Sequence, residues 1–207
     1  MSKLFNDNRK TTRLQNWDYR WKGLYFVTVN TKFGENYFGE ISNGKMYLND
    51  IGREVEKQWL LTPSIRPDMN LYLDEFKVMP NHFHGIIGIG RNEFNLRSLS
   101  FLGLRDLSLL VKDPTSLRMV QSDGINSPNQ NIFGPQRKNL GSIMRGFKSS
   151  VTSWCRINSH LFGWHSRYHD VLINNDLSLN KIRKYIQNNP KNWERDRFNK
   201  KQNRNPK

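Results

Sequence analysis

The chain has 207 residues, 36% hydrophobic and 12% aromatic, with 33 Lys and Arg against 18 Asp and Glu, a formal charge of +15. That length fits one well-filled domain with room for an insertion. The charge favours a polyanionic partner, nucleic acid before an anionic membrane, over a charge that serves solubility alone. The single cysteine, Cys155, excludes an intrachain disulfide and a cysteine zinc cluster. No apolar run reaches membrane-spanning length and the polar, basic start holds no signal core, so the expected compartment is the cytoplasm.

Residues 1–16 read as a loose basic arm. Trp17-Asp18-Tyr19-Arg20-Trp21-Lys22 alternates rings with charge, which suits either base stacking with phosphate contact or a flap tucked over the core. Leu24–Thr31 is rich in β-branched and aromatic residues and predicts a strand. Asn43-Gly44, between alternating apolar residues, predicts a hairpin with a type I′ turn. Asp50 is the expected N-cap of a helix from Ile51 to Leu60, whose apolar stripe is Ile51, Val55 and Trp59. A proline-containing loop then leads to a strand over Leu71–Met79, a turn at Pro80-Asn81 and a second strand through Ile89, too closely spaced to be anything but antiparallel.

Between residues 90 and 132 the periodicity is lost; this stretch is read as an insertion, with a short helix near 104–111. It returns with Leu140, Ile143, Met144, Phe147, Val151 and Trp154, the stripe of an amphipathic helix. Arg137, Lys138, Arg145 and Lys148 lie off that stripe and, with Arg20, are the candidate DNA contacts; a solvated helix face is the competing reading. Arg167–Ile173 predicts a strand, and Ser178 the N-cap of a helix with stripe Leu179, Ile182, Ile186, ended by Pro190. Residues 17–195 form the expected single domain and 196–207 a basic, frayed tail. The element order implies an α+β fold, an antiparallel sheet with helices packed on it.

Two features carry chemistry. His82 and His84 share one face of their strand, with backbones roughly 7 Å apart, close enough for both imidazoles to reach one metal ion or phosphate. A half-exposed histidine pair without chemistry is the plain alternative. Tyr185 and Asn189, four residues apart on the last helix, present a phenol and an amide to one side, although Pro190 directly follows Asn189 and biases it away from helical geometry. Gln187 points roughly the opposite way. A boundary-packing tyrosine and a helix-ending asparagine are the plain alternatives here.

The stretches Arg13-Leu14 with Trp17-Asp18-Tyr19, GLYFVTVNTK, YFGEI, LDEFKVMPNHFHGIIGI, FGPQRKNLGSIMRGFKSSVT and RYHDVLINND followed by LNKIRKYIQNNPKNW resemble the HUH single-tyrosine transposases, in the branch called REP-associated tyrosine transposases. The resemblance covers residues 11–90 and 133–195. It implies a ferredoxin-like (RRM-like) fold, an antiparallel sheet with helices packed on one face. It also implies that Tyr185 is the nucleophile and that His82, His84 and Asn189 ligate a divalent metal, Mg²⁺ or Mn²⁺. The implied reaction cleaves and rejoins single-stranded or hairpin DNA through a 5′-phosphotyrosine, in a nucleoid-associated monomer or homodimer. His169-Asp170 is a candidate support for the site, or simply part of a strand.

A histidine-triad hydrolase would need a third histidine where Ile86 stands, and a zinc deaminase would need cysteine ligands. Two alternatives stay open: a non-catalytic nucleic-acid-binding protein that keeps the fold and charge, and a relaxase- or initiator-like nickase of the same chemistry.

Overall fold

Strand alternation along this chain produces a sheet with two distinct apolar faces, and each face recruits its own helices. A computed structural model describes residues 17–96 and 137–199. The arm at 1–16, the helix expected near 104–111 and the tail beyond 199 lie outside the described residues. The strands are β1 (Gly23–Asn30), β2 (Gly39–Ser42), β3 (Lys45–Leu48), β4 (Leu71–Met79), β5 (His82–Ile89) and β6 (His169–Ile173). The helices are α1 (Asp50–Ile65), α2 (Leu140–Ile157) and α3 (Asp176–Asn188), and a 3-10 turn follows at Pro190–Arg195.

The sheet order is β4-β5-β1-β6, with every neighbouring pair antiparallel, and β2 and β3 form a separate hairpin. With that hairpin set aside, the chain runs β-α-β-β-α-β, the ferredoxin-like arrangement. Asn43 and Gly44 both have positive φ, 50° and 69°, as a type I′ turn requires.

On the core face, Tyr25, Val27 and Val29 of β1 and Phe83, Ile87 and Ile89 of β5 are fully buried beneath α1 and α2. The Trp59 ring lies 4.7 Å from Phe83, and Phe147 lies 5.4 Å from Trp59 and 5.3 Å from Phe83. Gly85 makes that approach feasible, because a Cβ there would sit 2.7 Å from the Trp59 ring. On the opposite face a smaller cluster forms: Leu24, Phe26, Ile86 and Ile173 of the sheet meet Leu179, Ile182 and Ile186 of α3. Thus α1 and α2 share one face as expected, while α3 covers the other.

Several boundaries differ from the expectations. The N-cap of α1 is Asn49, whose side chain accepts from Gly52 N at 3.0 Å, with Asp50 in the first turn. The helix continues past Leu60 to Ile65 because buried Thr62 extends the stripe, and Pro63, in the last turn, forfeits only one bond. Asn175, not Ser178, caps α3, accepting from Ser178 N at 2.8 Å. In α2, Cys155 is buried and Trp154 is only partly so. Strand β6 begins at His169.

The ring-rich segment at 17–22 is tucked over the core, with Lys22 at its end exposed. Trp21 is buried, and Trp17 Nε1 donates to Tyr25 Oη at 3.0 Å, which donates to the Trp21 carbonyl at 3.2 Å. No described helix is long and apolar enough to cross a membrane.

Candidate active site

Both histidines of β5 lie on the face covered by α3, and both are buried, at 0% and 1% exposure. Their ring centroids are 4.5 Å apart. Cross-strand register sets their neighbours: His84 pairs with Thr28 and His82 with Asn30 on β1, while Lys77 and Met79 of β4 flank them on the other side.

Each imidazole is oriented through Nδ1. His84 Nδ1 lies 2.9 Å from Thr28 Oγ1 and His82 Nδ1 lies 2.9 Å from Asn81 Oδ1. An amide oxygen only accepts, so His82 carries its proton on Nδ1 and its lone pair on Nε2. Asn81 is itself held, donating through Nδ2 to the carbonyls of Phe198 at 2.7 Å and Gly34 at 3.2 Å. His84 Nε2 meets the Tyr185 hydroxyl at 3.2 Å. If the phenol donates there, the His84 proton also sits on Nδ1, pointing at Thr28.

Burial pushes both histidines toward the neutral form. It holds His82 well below the ordinary histidine value, helped by His84 and Arg197, and His84 at about 3, helped by Arg197. Burial also raises the Tyr185 phenol, with Asp196 acting in the same direction; Asn189 and Arg197 pull it back.

Tyr185 projects from α3 with 44% of its surface exposed, edge-on to Phe26 at 6.1 Å. Asn189 keeps helical angles, φ −56° and ψ −44°, despite the proline behind it. Pro190 opens a 3-10 turn that continues the helix, so Asn189 stays one turn beyond Tyr185, at 2% exposure. Its amide acts to lower the Tyr185 phenol without forming a hydrogen bond to it. Neither polar atom of the Asn189 side chain has a protein partner, nor does His82 Nε2 or Asn30 Oδ1. These orphaned buried atoms are the kind a protein retains for a ligand.

The segment expected to fray from residue 196 instead packs on the site. The Phe198 ring lies 4.7 Å from His82, Arg197 stacks over Phe198 at 4.6 Å, and Asn199 is buried.

The five cations singled out from sequence lie elsewhere. Arg20 forms a bidentate pair with Asp18. Lys138 pairs with Asp68 and caps the Phe94 ring at 4.7 Å. Lys148 donates to the carbonyls of His165 and Ser166 at 2.7 and 3.1 Å, bracing that loop. Arg137 and Arg145 are exposed. Arg145 and Lys148 belong to α2, which packs on the face of the sheet away from the histidines. Among the described residues, Lys181, Lys184, Lys191, Arg195 and Arg197, on or just after α3, are exposed. In β6, Asp170 is buried and alternates to the core face, whereas exposed His169 pairs with Thr28.

Sequence reading missed Thr28, Asn81 and Arg197. Thr28 was legible in part, as a polar residue alternating with Phe26 in an apolar strand. Asn81 passed for a turn residue, and nothing local marks Arg197.

No protein-family model matches the chain. Among solved structures, a REP-associated tyrosine transposase bound to a REP hairpin is similar at a TM-score of 0.47 and 15% identity, covering 87% of this chain and 73% of that one. A Deinococcus radiodurans protein assigned as a transposase has a TM-score of 0.34 at 13% identity, covering 86% of this chain and 97% of that one. Likeness at these scores gives no residue a role. An uncharacterized protein of Haemophilus influenzae is 36% identical over 195 residues, covering 92% of this chain and 93% of that protein. Identity of that degree across nearly the whole of both chains shows that the chain belongs to the same protein family as this Haemophilus influenzae protein.

Proposed function

We propose that the protein is a metal-dependent tyrosine endonuclease and strand transferase acting on single-stranded or hairpin DNA, in the manner of the REP-associated tyrosine transposases. The observation that carries this reading is the meeting of Tyr185 Oη with His84 Nε2 at 3.2 Å, in a pocket where His82 Nε2 and the Asn189 amide have no protein partner.

The donor set fits a divalent ion such as Mg²⁺ or Mn²⁺. Two imidazoles oriented at Nδ1 leave Nε2 as the ligating atom, unpartnered in His82 and facing the Tyr185 hydroxyl in His84, and the Asn189 carbonyl oxygen supplies the harder donor. His82, His84 and Asn189 would hold the metal. When bound, it supplies positive charge at a phosphate oxygen to offset charge developing in the transition state.

Tyr185 is the nucleophile in this reading. Its oxygen attacks the scissile phosphorus as the phenol proton passes to solvent; the bond from phosphorus to the 3′ oxygen breaks, and that oxygen takes up a proton. A 5′-phosphotyrosine and a free 3′-hydroxyl result. A DNA 3′-hydroxyl attacking the phosphotyrosine reverses the step and joins strands, so no nucleotide is consumed. Thr28 and Asn81 orient the imidazoles. The +15 charge and the exposed cations around α3 supply the attraction for a polyanion.

The test is to incubate the protein with Mg²⁺ or Mn²⁺ and labelled hairpin DNA and look for an SDS-stable protein–DNA adduct. The expected result is an adduct with wild type and none with Tyr185→Phe. Adduct from Tyr185→Phe removes the nucleophile assignment. Salt-sensitive hairpin binding by wild type without adduct favours the non-catalytic DNA-binding alternative.

A further inference from the structure

The register of β4 against β5 slips between Leu73 and Phe76. Leu73 pairs with Ile87 and Phe76 with Gly85, so Asp74 and Glu75 together stand opposite the single residue Ile86. This is a β-bulge, which breaks strict alternation and re-aims side chains. Here both acidic side chains reach the same helix. Arg183 grips Asp74 through Nε at 2.7 Å and Nη2 at 2.5 Å, and Gln187 Nε2 donates to Glu75 at 2.8 Å. Arg183 and Gln187 are four residues apart, one turn along the same flank of α3. Tyr185 lies two residues from each, on the other flank.

The apolar attachment of α3 is thin. Ile186 is its one buried residue, with Leu179 and Ile182 partly buried beside it. Hydrophobic contact is non-directional and leaves a helix free to roll on a sheet. A bidentate guanidinium–carboxylate pair is directional. At a side-chain radius of about 6 Å, a roll of about 10° moves a side-chain tip by about 1 Å. Ile86, opposite the bulge, is two residues from His84 on the same face, so the bulge ties tyrosine and histidines to one strand pair.

The geometry points to the Asp74–Glu75 bulge as the device that sets the roll of α3 and so holds Tyr185 at His84. Asp74, Glu75, Arg183 and Gln187 are positioning residues. The effect on cleavage rests on the proposed role of Tyr185; the effect on the position of its ring does not.

The experiment compares wild type with Asp74→Ala/Glu75→Ala, and with the near-isosteric Asp74→Asn/Glu75→Gln should the alanine pair fail to fold. The first readout is the Tyr185 ring signal in spectra of protein carrying ¹³C-labelled tyrosine rings, assigned with Tyr185→Phe and recorded without DNA. It is expected to move, while the signal of Tyr25 in the core stays. The second is single-turnover adduct formation beside hairpin affinity. The rate is expected to fall about 10–100-fold, with affinity unchanged or tighter because two negative charges are gone. The charge-swapped pair Asp74→Arg/Arg183→Asp is expected to bring the ring signal back toward wild type. A Tyr185 signal unmoved in the alanine pair overturns the inference whatever the rate does, and a swap that leaves it displaced counts against it. If wild type forms no adduct, the nuclease reading fails and the ring signal alone decides the clamp.

Discussion

Replacing Thr28 with valine isolates the contact that orients His84. Valine keeps the shape and β-branching a buried strand position favours and removes only the hydroxyl. Thr28 is 3% exposed, and its Oγ1 lies 2.9 Å from His84 Nδ1. Without it the imidazole keeps a buried polar atom with nothing to meet, a penalty of about 1–3 kcal/mol. For a chain of this size each kcal/mol lowers the melting temperature by about 2–4 °C, so a 2 kcal/mol loss gives a fall of about 4–8 °C. The ring is also free to turn its Nε2 away from the pocket. Loss of such an orienting partner costs about 10–100-fold in metal affinity. The assay is a Mn²⁺ titration of adduct formation on a labelled hairpin, alongside a thermal melt without metal. The metal half-saturation point is expected to rise by that factor while hairpin affinity measured in EDTA is unchanged. A lowered melting temperature with an unmoved half-saturation point refutes the orienting role and leaves Thr28 a packing residue.

Other expectations follow from the same geometry. His82→Ala and His84→Ala should abolish adduct formation yet retain salt-sensitive hairpin binding, measured by gel shift at two salt concentrations; adduct from either variant at wild-type rate removes that histidine from the site. Phe83→Ala, between those histidines in sequence but on the other face, should cost about 3–5 kcal/mol of stability because it empties the space between Trp59 and Phe147. A urea melt showing a loss below 1 kcal/mol would place the core elsewhere. Asp74 is held below the usual carboxylate range, first by its hydrogen bonds from Arg183. Its contribution to stability is therefore fully present above the unfolded carboxylate value of about 3.9 and is lost as pH falls through the lower folded value. Asp74→Asn should flatten the acid side of the stability–pH curve, and an identical acid limb in both proteins would contradict the ion pair.

Much of the candidate site's geometry was legible because its parts obey short-range periodicities. A strand repeats every two residues, so His-Phe-His puts both imidazoles on one side and Phe83 in the core. A helix brings residues four apart together, so Tyr185 and Asn189 face one way. The proline after Asn189 is a misleading local signal, since the chain turns from α to 3-10 geometry there without leaving the helical region. Asp50 and Ser178 were misread as caps because Asn49 and Asn175, also good capping residues, precede them.

The amino-acid sequence by itself determined the element order, the two faces of β5 and the spacing of Tyr185 and Asn189 one helical turn apart, all properties of neighbours within a turn or a strand. Only the tertiary structure decided that α3 covers the histidine face and that Thr28 meets His84 across 56 residues of chain. It alone decided that a bulge in β4 grips Arg183 across 109 residues, and that Lys148 braces the loop at His165 and Ser166. Those contacts depend on register and packing, which arise when distant segments compete for the same buried area and the same hydrogen bonds, and no local pattern encodes the outcome.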